Sequence, residues 1–277
     1  ETDGIAAFTS TGFNLSGDGY MYVNRSGEPY ISWNFRAGGP AVTNNDGSIP
    51  SQVSANKDMG FSVVKYQGVG TVFGETVGHG LGSVPKLIIQ KIITKPYGWI
   101  VGSDELDTSS SWDSYLVLND SQAKAQNTQI WEKGPDSSIF HIGDAASVNE
   151  AGQDMIAYCF TNTEMLQVGS YVGNGLEDGP MVSLPFKPAY FMWKGISSGP
   201  EAYWIIQDNA RNPINDGINN GLFPNSSMAE DPRTDKAVDF LSNGCKLRGT
   251  AGDTNKSGAS YLYIAIAEQS FKHARGR

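Results

Sequence analysis

Histidine and cysteine, the residues that most often carry metal or nucleophilic chemistry, are scarce here: the 277-residue chain has three histidines and two cysteines. His79, His141 and His273 fall in no catalytic or zinc-binding spacing, and neither Cys159 nor Cys245 has a CxxC partner or a neighbouring histidine. The two thiols are therefore expected as free, core-seated small hydrophobes. Positive charge is also in short supply. The 20 Lys and Arg against 29 Asp and Glu give a formal charge of -9, which argues against a phosphate-binding groove and hence against a nucleic-acid partner. The one basic cluster, Lys272, His273, Arg275 and Arg277, reads as a solvated tail. No apolar run approaches the roughly 20 residues of a membrane span, and no signal-peptide pattern is found.

What the chain does have is glycine, at 33 residues, together with many Asn, Ser, Tyr and Trp and only 18% charged residues. That is a strand-and-turn composition. Turn pairs such as Asp18-Gly19, Asp46-Gly47, Asn174-Gly175 and Asn220-Gly221 supply the positive φ angles of tight hairpins. Apolar runs of four to eight residues, such as 87–93 and 189–193, read as buried strands. The expectation is an all-β protein of antiparallel β-sandwich, jelly-roll-like domains, with helix only in short pieces such as 121–126.

The main organising signal is repetition. Asn24 and Gly27, Asn149 and Gly152, and Asn255 and Gly258 each form an Asn-x-x-Gly corner, followed at the same distance by an alternating apolar run, 30–35, 155–160 and 261–266. Upstream, Tyr66, Gly68 and Gly70 align with Tyr171, Gly173 and Gly175, residues 85–91 with 188–194, and Trp99 with Trp204. Tandem repeats of about 105 residues follow: a remnant of a preceding unit at 1–37, a Gly/Pro/Ser/Asn-rich linker at 38–59, unit one at 60–164, and unit two with a C-terminal tail at 165–277. The incomplete first copy carries the expectation of a longer parent protein, cut inside a unit.

Repetition separates scaffold from candidate site. Residues that recur in register, including Tyr66 with Tyr171 and Phe140 with Phe240, are expected in the core, and Cys245 aligns with apolar Phe13. Aromatics that do not recur are freer to serve as platforms on which a sugar ring stacks, bordered by amides and carboxylates. The ligand-binding candidates are accordingly Trp112, Trp131 and Tyr203, with Asp208, Asn215 and Asp216 as polar neighbours. No catalytic residue is assigned. Carboxylates are numerous, and those in the least regular loops, at 104, 105, 107, 208, 216, 230, 231 and 235, are the candidates for a glycosidase pair. No cofactor or metal centre is assigned either; residues 212–220 offer oxygen ligands for a structural calcium but lack the EF-hand spacing. The glycine-rich stretch around His79 lacks the Lys-Ser/Thr of a phosphate loop and reads as a turn. Asn-x-Ser sequences at Asn14, Asn24, Asn119, Asn225 and Asn255 read as accidental matches in an Asn- and Ser-rich chain.

Nearly the whole chain resembles a module of tailed-bacteriophage virion structural proteins, of the tail, tail-fibre or appendage type. The resemblance is carried by Phe61-Ser-Val-Val-Lys-Tyr-Gln-Gly-Val-Gly, by Gly169-Ser-Tyr-Val-Gly-Asn-Gly, by Arg211-Asn-Pro and by Asp239-Phe-Leu-Ser-Asn-Gly. Members often follow a concanavalin-like or laminin-G-like domain. The resemblance implies a non-catalytic component of the virion surface, with other virion proteins as partners, host-surface carbohydrate met through variable loops, and a homo-oligomer in which closed symmetry favours a trimer. Two alternatives stand beside it: a polysaccharide depolymerase, and a capsid or sheath decoration protein.

Overall fold

The structure, a computed structural model, describes residues 4–16, 23–70, 73–107, 111–196 and 203–268. The chain divides into two compact units, Glu1–Phe35 and Arg36–Arg277. The basic tail at 272–277 lies outside the described residues.

In the small unit, β1 (Gly4–Phe8) and β2 (Phe13–Ser16) form an antiparallel hairpin with Phe8 opposite Phe13. A turn follows in which Glu28 N–H donates to Arg25 O (3.3 Å), with Gly27 at φ 84°. The alternating 30–35 run, expected as a strand, forms none. An alternating pattern makes a strand only where neighbouring strands take up its backbone groups, and β1 and β2 pair with each other.

The large unit continues with β3 (Val42–Asn44), β4 (Ser51–Asn56), β5 (Phe61–Gln67), β6 (Glu75–Gly78), β7 (Leu87–Ile92), β8 (Ile100–Ser103), β9 (Ser114–Val117), β10 (Ala125–Gln126), β11 (Ile139–Ile142), the helical turn α1 (Ala146–Asn149) and β12 (Asp154–Phe160). One eight-stranded sheet runs β10-β9-β8-β7-β12-β5-β4-β3, and β6 pairs with β11 in a ribbon. Two expectations are corrected here. Part of the 38–59 stretch, expected as linker, is sheet: β4 lies antiparallel to β5 with Val53 opposite Val64. The 121–126 segment holds no helix and ends in β10.

The chain goes on through β13 (Leu166–Val172), β14 (Met181–Ser183), β15 (Pro188–Gly195), β16 (Ile205–Asp208), β17 (Asn219–Gly221), β18 (Asp231–Arg233), β19 (Val238–Leu241), β20 (Gly244–Leu247), the helical turn α2 (Gly252–Asn255) and β21 (Ser260–Ala267). These make a four-stranded sheet β13-β21-β15-β16, a three-stranded sheet β14-β20-β19 and a ribbon β17-β18. All named strand pairs are antiparallel, so the protein is all-β.

Period-two alternation explains the layers. On β12, Met155, Ala157 and Cys159 are fully buried against Val77, Phe140 and Ile142 of the β6–β11 ribbon. In the C-terminal half, Tyr171, Phe191, Trp193, Tyr261 and Tyr263 of the larger sheet face Val182, Val238, Phe240, Cys245 and Leu247 of the smaller one. Each fully buried large side chain contributes about 1.5–3 kcal/mol. Cys159 and Cys245 are unbridged and buried, and burial pushes the Cys159 thiol up to about 12. Among the described residues no helix is long and apolar enough to cross a membrane.

Candidate functional site

The two helical turns organise the polar interior. Tyr66 Oη donates to Val148 O (2.7 Å), and Tyr171 Oη donates to Thr254 O (2.8 Å). Asn149 Oδ1 accepts from Val69 N–H (2.9 Å), while its Nδ2 donates to Gly70 O (2.9 Å) and Gly143 O (3.2 Å). Asn255 Oδ1 accepts from Asn174 N–H (2.8 Å), and its Nδ2 donates to Leu176 O (2.8 Å) and Gly249 O (3.0 Å). Glycine is required where backbones meet. A Cβ on Gly68 would lie 2.3 Å from Glu150 O, and one on Gly173 would lie 2.4 Å from Lys256 O. With its amide committed in this way, the Asn255 sequence is scaffold.

The sequence-chosen aromatics are packing residues. Trp112 and Trp131 are 4% and 1% exposed and meet edge to face with ring centroids 6.0 Å apart. A Cβ on Gly102 would come within 2.7 Å of Trp131 and 3.0 Å of Trp112, so the absent side chain of β8 makes room for both indoles. Neither offers a sugar-stacking face. Trp112 holds a positive φ of 51°, unusual for a bulky residue. Tyr203, half-buried, packs edge to face on Phe223 at 5.5 Å.

The polar candidates share one segment, 208–220, without converging. Asp208 is buried and receives Arg211 Nε (2.7 Å) and Arg211 N–H (3.0 Å); Arg211 reaches on to Glu230 (3.0 Å). Asp216 is exposed and accepts from Ile218 N–H (3.0 Å) around Gly217. Asn215 accepts from Phe240 N–H (2.9 Å) and donates to Phe240 O (3.3 Å). The oxygens that 212–220 would offer a calcium are thus largely engaged by backbone amides. Among the described residues no group of three or more His, Cys, Asp or Glu is gathered for a metal ion.

Of these candidates Asn215 lines a cleft of about 580 Å³, together with Glu177, Asp178, Gly217, Thr234, Asp235, Asp239, Arg248 and Thr250. All but one of these residues lie on loops between strands; the exception is Asp239 of β19. Arg248 Nε donates to Asp239 (2.7 Å), whose carboxylate is mostly buried, and Arg248 Nη1 lies 3.7 Å from exposed Asp178. Lys246 approaches Asp178 from behind at 2.8 Å, and this ammonium, first by hydrogen bonding and then by charge, holds the carboxyl below its ordinary range. Arg233 grips Asp235 at 2.9 and 2.8 Å and lowers that carboxyl as well. Fixed carboxylates, a guanidinium and two threonine hydroxyls can exchange hydrogen bonds with a polyhydroxylated ligand; among the described residues no aromatic ring lines the cleft. Asp235 was a sequence candidate for its loop alone. Asp178, Asp239 and Arg248 were not singled out as site residues, because it takes the β14–β20 and β19–β20 pairings to bring them together.

His79 does not form a reactive site. Buried, it accepts Leu81 N–H at Nδ1 (3.2 Å) and meets Asp136 O through Nε2 (3.1 Å). Burial lowers its pKa.

Fold and cleft together define an all-β protein of packed antiparallel sheets with a polar, loop-lined site. Over residues 1–270 the chain matches the model of a family described as a domain of unknown function (DUF7483), and it belongs to that family. No curated protein and no solved structure matches it.

Proposed function

We propose that this chain is a non-catalytic structural component of a tailed-phage virion, a tail or tail-fibre part built from tandem jelly-roll-like units of about 105 residues, which holds host-surface glycan in the polar cleft. The phage assignment rests on the sequence resemblance. The observation that carries the scaffold reading is the pair of matching hydrogen-bond nodes. Tyr66, Asn149 and Gly143 make the bonds that Tyr171, Asn255 and Gly249 make. Further support comes from strand order, since β5-β12-β7-β8 and β13-β21-β15-β16 follow one plan. The loop anchors agree too: Asn119 accepts from Trp99 N–H (2.9 Å) as Asn225 accepts from Trp204 N–H (3.0 Å).

A duplicated node rigidifies a scaffold and leaves its loops free to differ, and the cleft is lined by such loops. The test is adsorption of the whole chain to host cells and to arrayed surface polysaccharides, with reducing-sugar release measured in parallel. Saturable adsorption, weakened at least about tenfold in Arg248→Met by loss of charge-assisted bonds, without sugar release, is the expected result. Sugar release abolished by one Asp or Glu substitution would establish the depolymerase instead. Absence of adsorption, with the protein found only within the capsid or sheath, would favour the decoration reading. Sedimentation of the same sample tests the trimer.

A further inference from the structure

Along an antiparallel edge strand, residues that exchange both N–H···O bonds with the neighbouring strand alternate with residues that turn one N–H and one C=O outward, side by side. A row of such groups invites pairing with another chain. β19 is the edge of its three-stranded sheet and β13 the edge of its four-stranded sheet. Several of their outward backbone groups are already engaged.

Asn219 accepts from Val238 N–H and donates to Val238 O, both at 3.0 Å. Two residues on, Asn215 does the same for Phe240 at 2.9 and 3.3 Å. On β13, Asn162 accepts from Val168 N–H (2.7 Å) and donates to Val168 O (3.1 Å). The next rung of that edge is closed by Thr163, whose Oγ1 accepts from Leu166 N–H (3.2 Å) and whose N–H donates to Leu166 O (2.8 Å). On the β17 ribbon, Asn212 holds Asn220 N–H (2.6 Å) and Asn220 O (3.3 Å). In four places, therefore, one carboxamide meets both backbone groups of a single residue, as the opposing residue of a partner strand would. A carboxamide carries the acceptor and donors this requires.

We infer that Asn162, Asn215 and Asn219 are strand surrogates that guard the β13 and β19 edges against strand addition by a second copy of the chain, while Asn212 fills the same role inside the molecule, between β17 and the end of β16. The residue type follows from the task. Asp lacks the donor, Ser and Thr do not span both groups with one side chain, and Gln adds a methylene that sets the amide farther from its own backbone. The surrogates arise from the loops themselves: Asn215 and Asn219 are four apart and meet residues two apart on β19.

The experiment uses the whole chain. Asn215→Ala and Asn162→Ala, at two exposed side chains, are made singly, and Asn219→Ala is added to Asn215→Ala for full opening of β19. Hydrogen exchange is read at Phe240 and Val168, with Phe191 on the interior strand β15 as reference, and sedimentation velocity is run over a concentration series. Loss of one protecting bond speeds exchange of the named amide about tenfold, with Phe191 unchanged, and the double variant sediments progressively faster than the parent as concentration rises. Unchanged exchange at Phe240 and Val168 would overturn the hydrogen-bond assignment. Faster exchange with sedimentation identical to the parent would overturn the guarding role. Should the double variant fail to fold, Asn215→Ala alone decides both points.

Discussion

Asn255→Ala is the sharpest test of the scaffold. The side chain is fully buried, and its removal orphans three backbone groups: Asn174 N–H, Leu176 O and Gly249 O. Gly249 is buried, so its carbonyl bears a desolvation penalty of about 2 kcal/mol. Asn174 and Leu176 are exposed residues whose freed groups can recruit water, so each loses a net bond of about 1 kcal/mol. The sum is about 4 kcal/mol, or a fall in Tm of roughly 10 °C for a body of this size. Asn149→Ala orphans the corresponding set, Val69 N–H, Gly70 O and Gly143 O, and should fall within about 1 kcal/mol of it. Urea and thermal unfolding followed by tryptophan fluorescence measure both. A loss below about 1.5 kcal/mol for Asn255→Ala would refute the bond-by-bond reasoning. A large difference between the two variants would refute the equivalence of the nodes.

Two further predictions concern buried polar groups. Tyr171→Phe takes the tyrosine donor from Thr254 O and should cost about 1–2 kcal/mol by urea titration, whereas Tyr66→Phe should cost less, because Val148 O keeps Gln90 Nε2 at 3.0 Å. Lys194 is fully buried between the halves of the large unit, with Nζ 3.3 Å from Asp120 O and 5.7 Å from the centre of the Trp204 ring, and burial lowers its pKa from 10.5 to about 8. The folded chain binds this proton more weakly than the unfolded one, so between about 8 and 10.5 the unfolded state holds more protons and this lysine's contribution to stability rises with pH. Lys194→Met should flatten that rise in a series of melts against pH, and a parallel rise in both proteins would sink the assignment.

Much of the sheet was legible in the sequence, because its central strands carry their own pattern. β5, β7, β12, β13, β15 and β21 fall on the apolar runs, and the Gly152 and Gly258 corners have the expected positive φ, 73° and 75°. Gly27 shows that the corner is local information while the strand after it is not. Its turn forms at φ 84°, and Arg25 N–H even donates to Tyr30 Oη (2.9 Å) as Lys256 N–H donates to Tyr261 Oη (2.7 Å), yet 30–35 stays outside any sheet. Strand register also exceeded linear reading. Phe140 pairs with Val77, and it is Cys245, not the Phe240 aligned with it by residue type, that pairs with Val182. The tryptophans misled for a volumetric reason. Opposite Ile88, β8 has Gly102, where Trp131 fits; opposite Phe191, β16 has Gln207. Lack of recurrence marked a different filling of the core and not a surface.

Asn215 shows why the candidate site was harder still. An amide on a loop is equally suited to a sugar hydroxyl and to a strand edge, and what separates the two roles is whether both amide atoms meet one residue's N–H and C=O. At Asn215 they do, although the residue also lines the cleft. A ligand there meets the side chains whose capacity is less filled: the hydroxyls of Thr234 and Thr250, exposed Asp178, and Arg248, which is 44% exposed. The two readings then separate within one cleft. Arg248→Met should reduce glycan adsorption and leave the Phe240 amide protected, while Asn215→Ala should expose that amide and leave adsorption within about twofold of the parent, less than one net hydrogen bond. If Asn215→Ala instead abolishes adsorption with Phe240 still protected, the amide belongs to the ligand and the sealed edge of β19 rests on Asn219 alone.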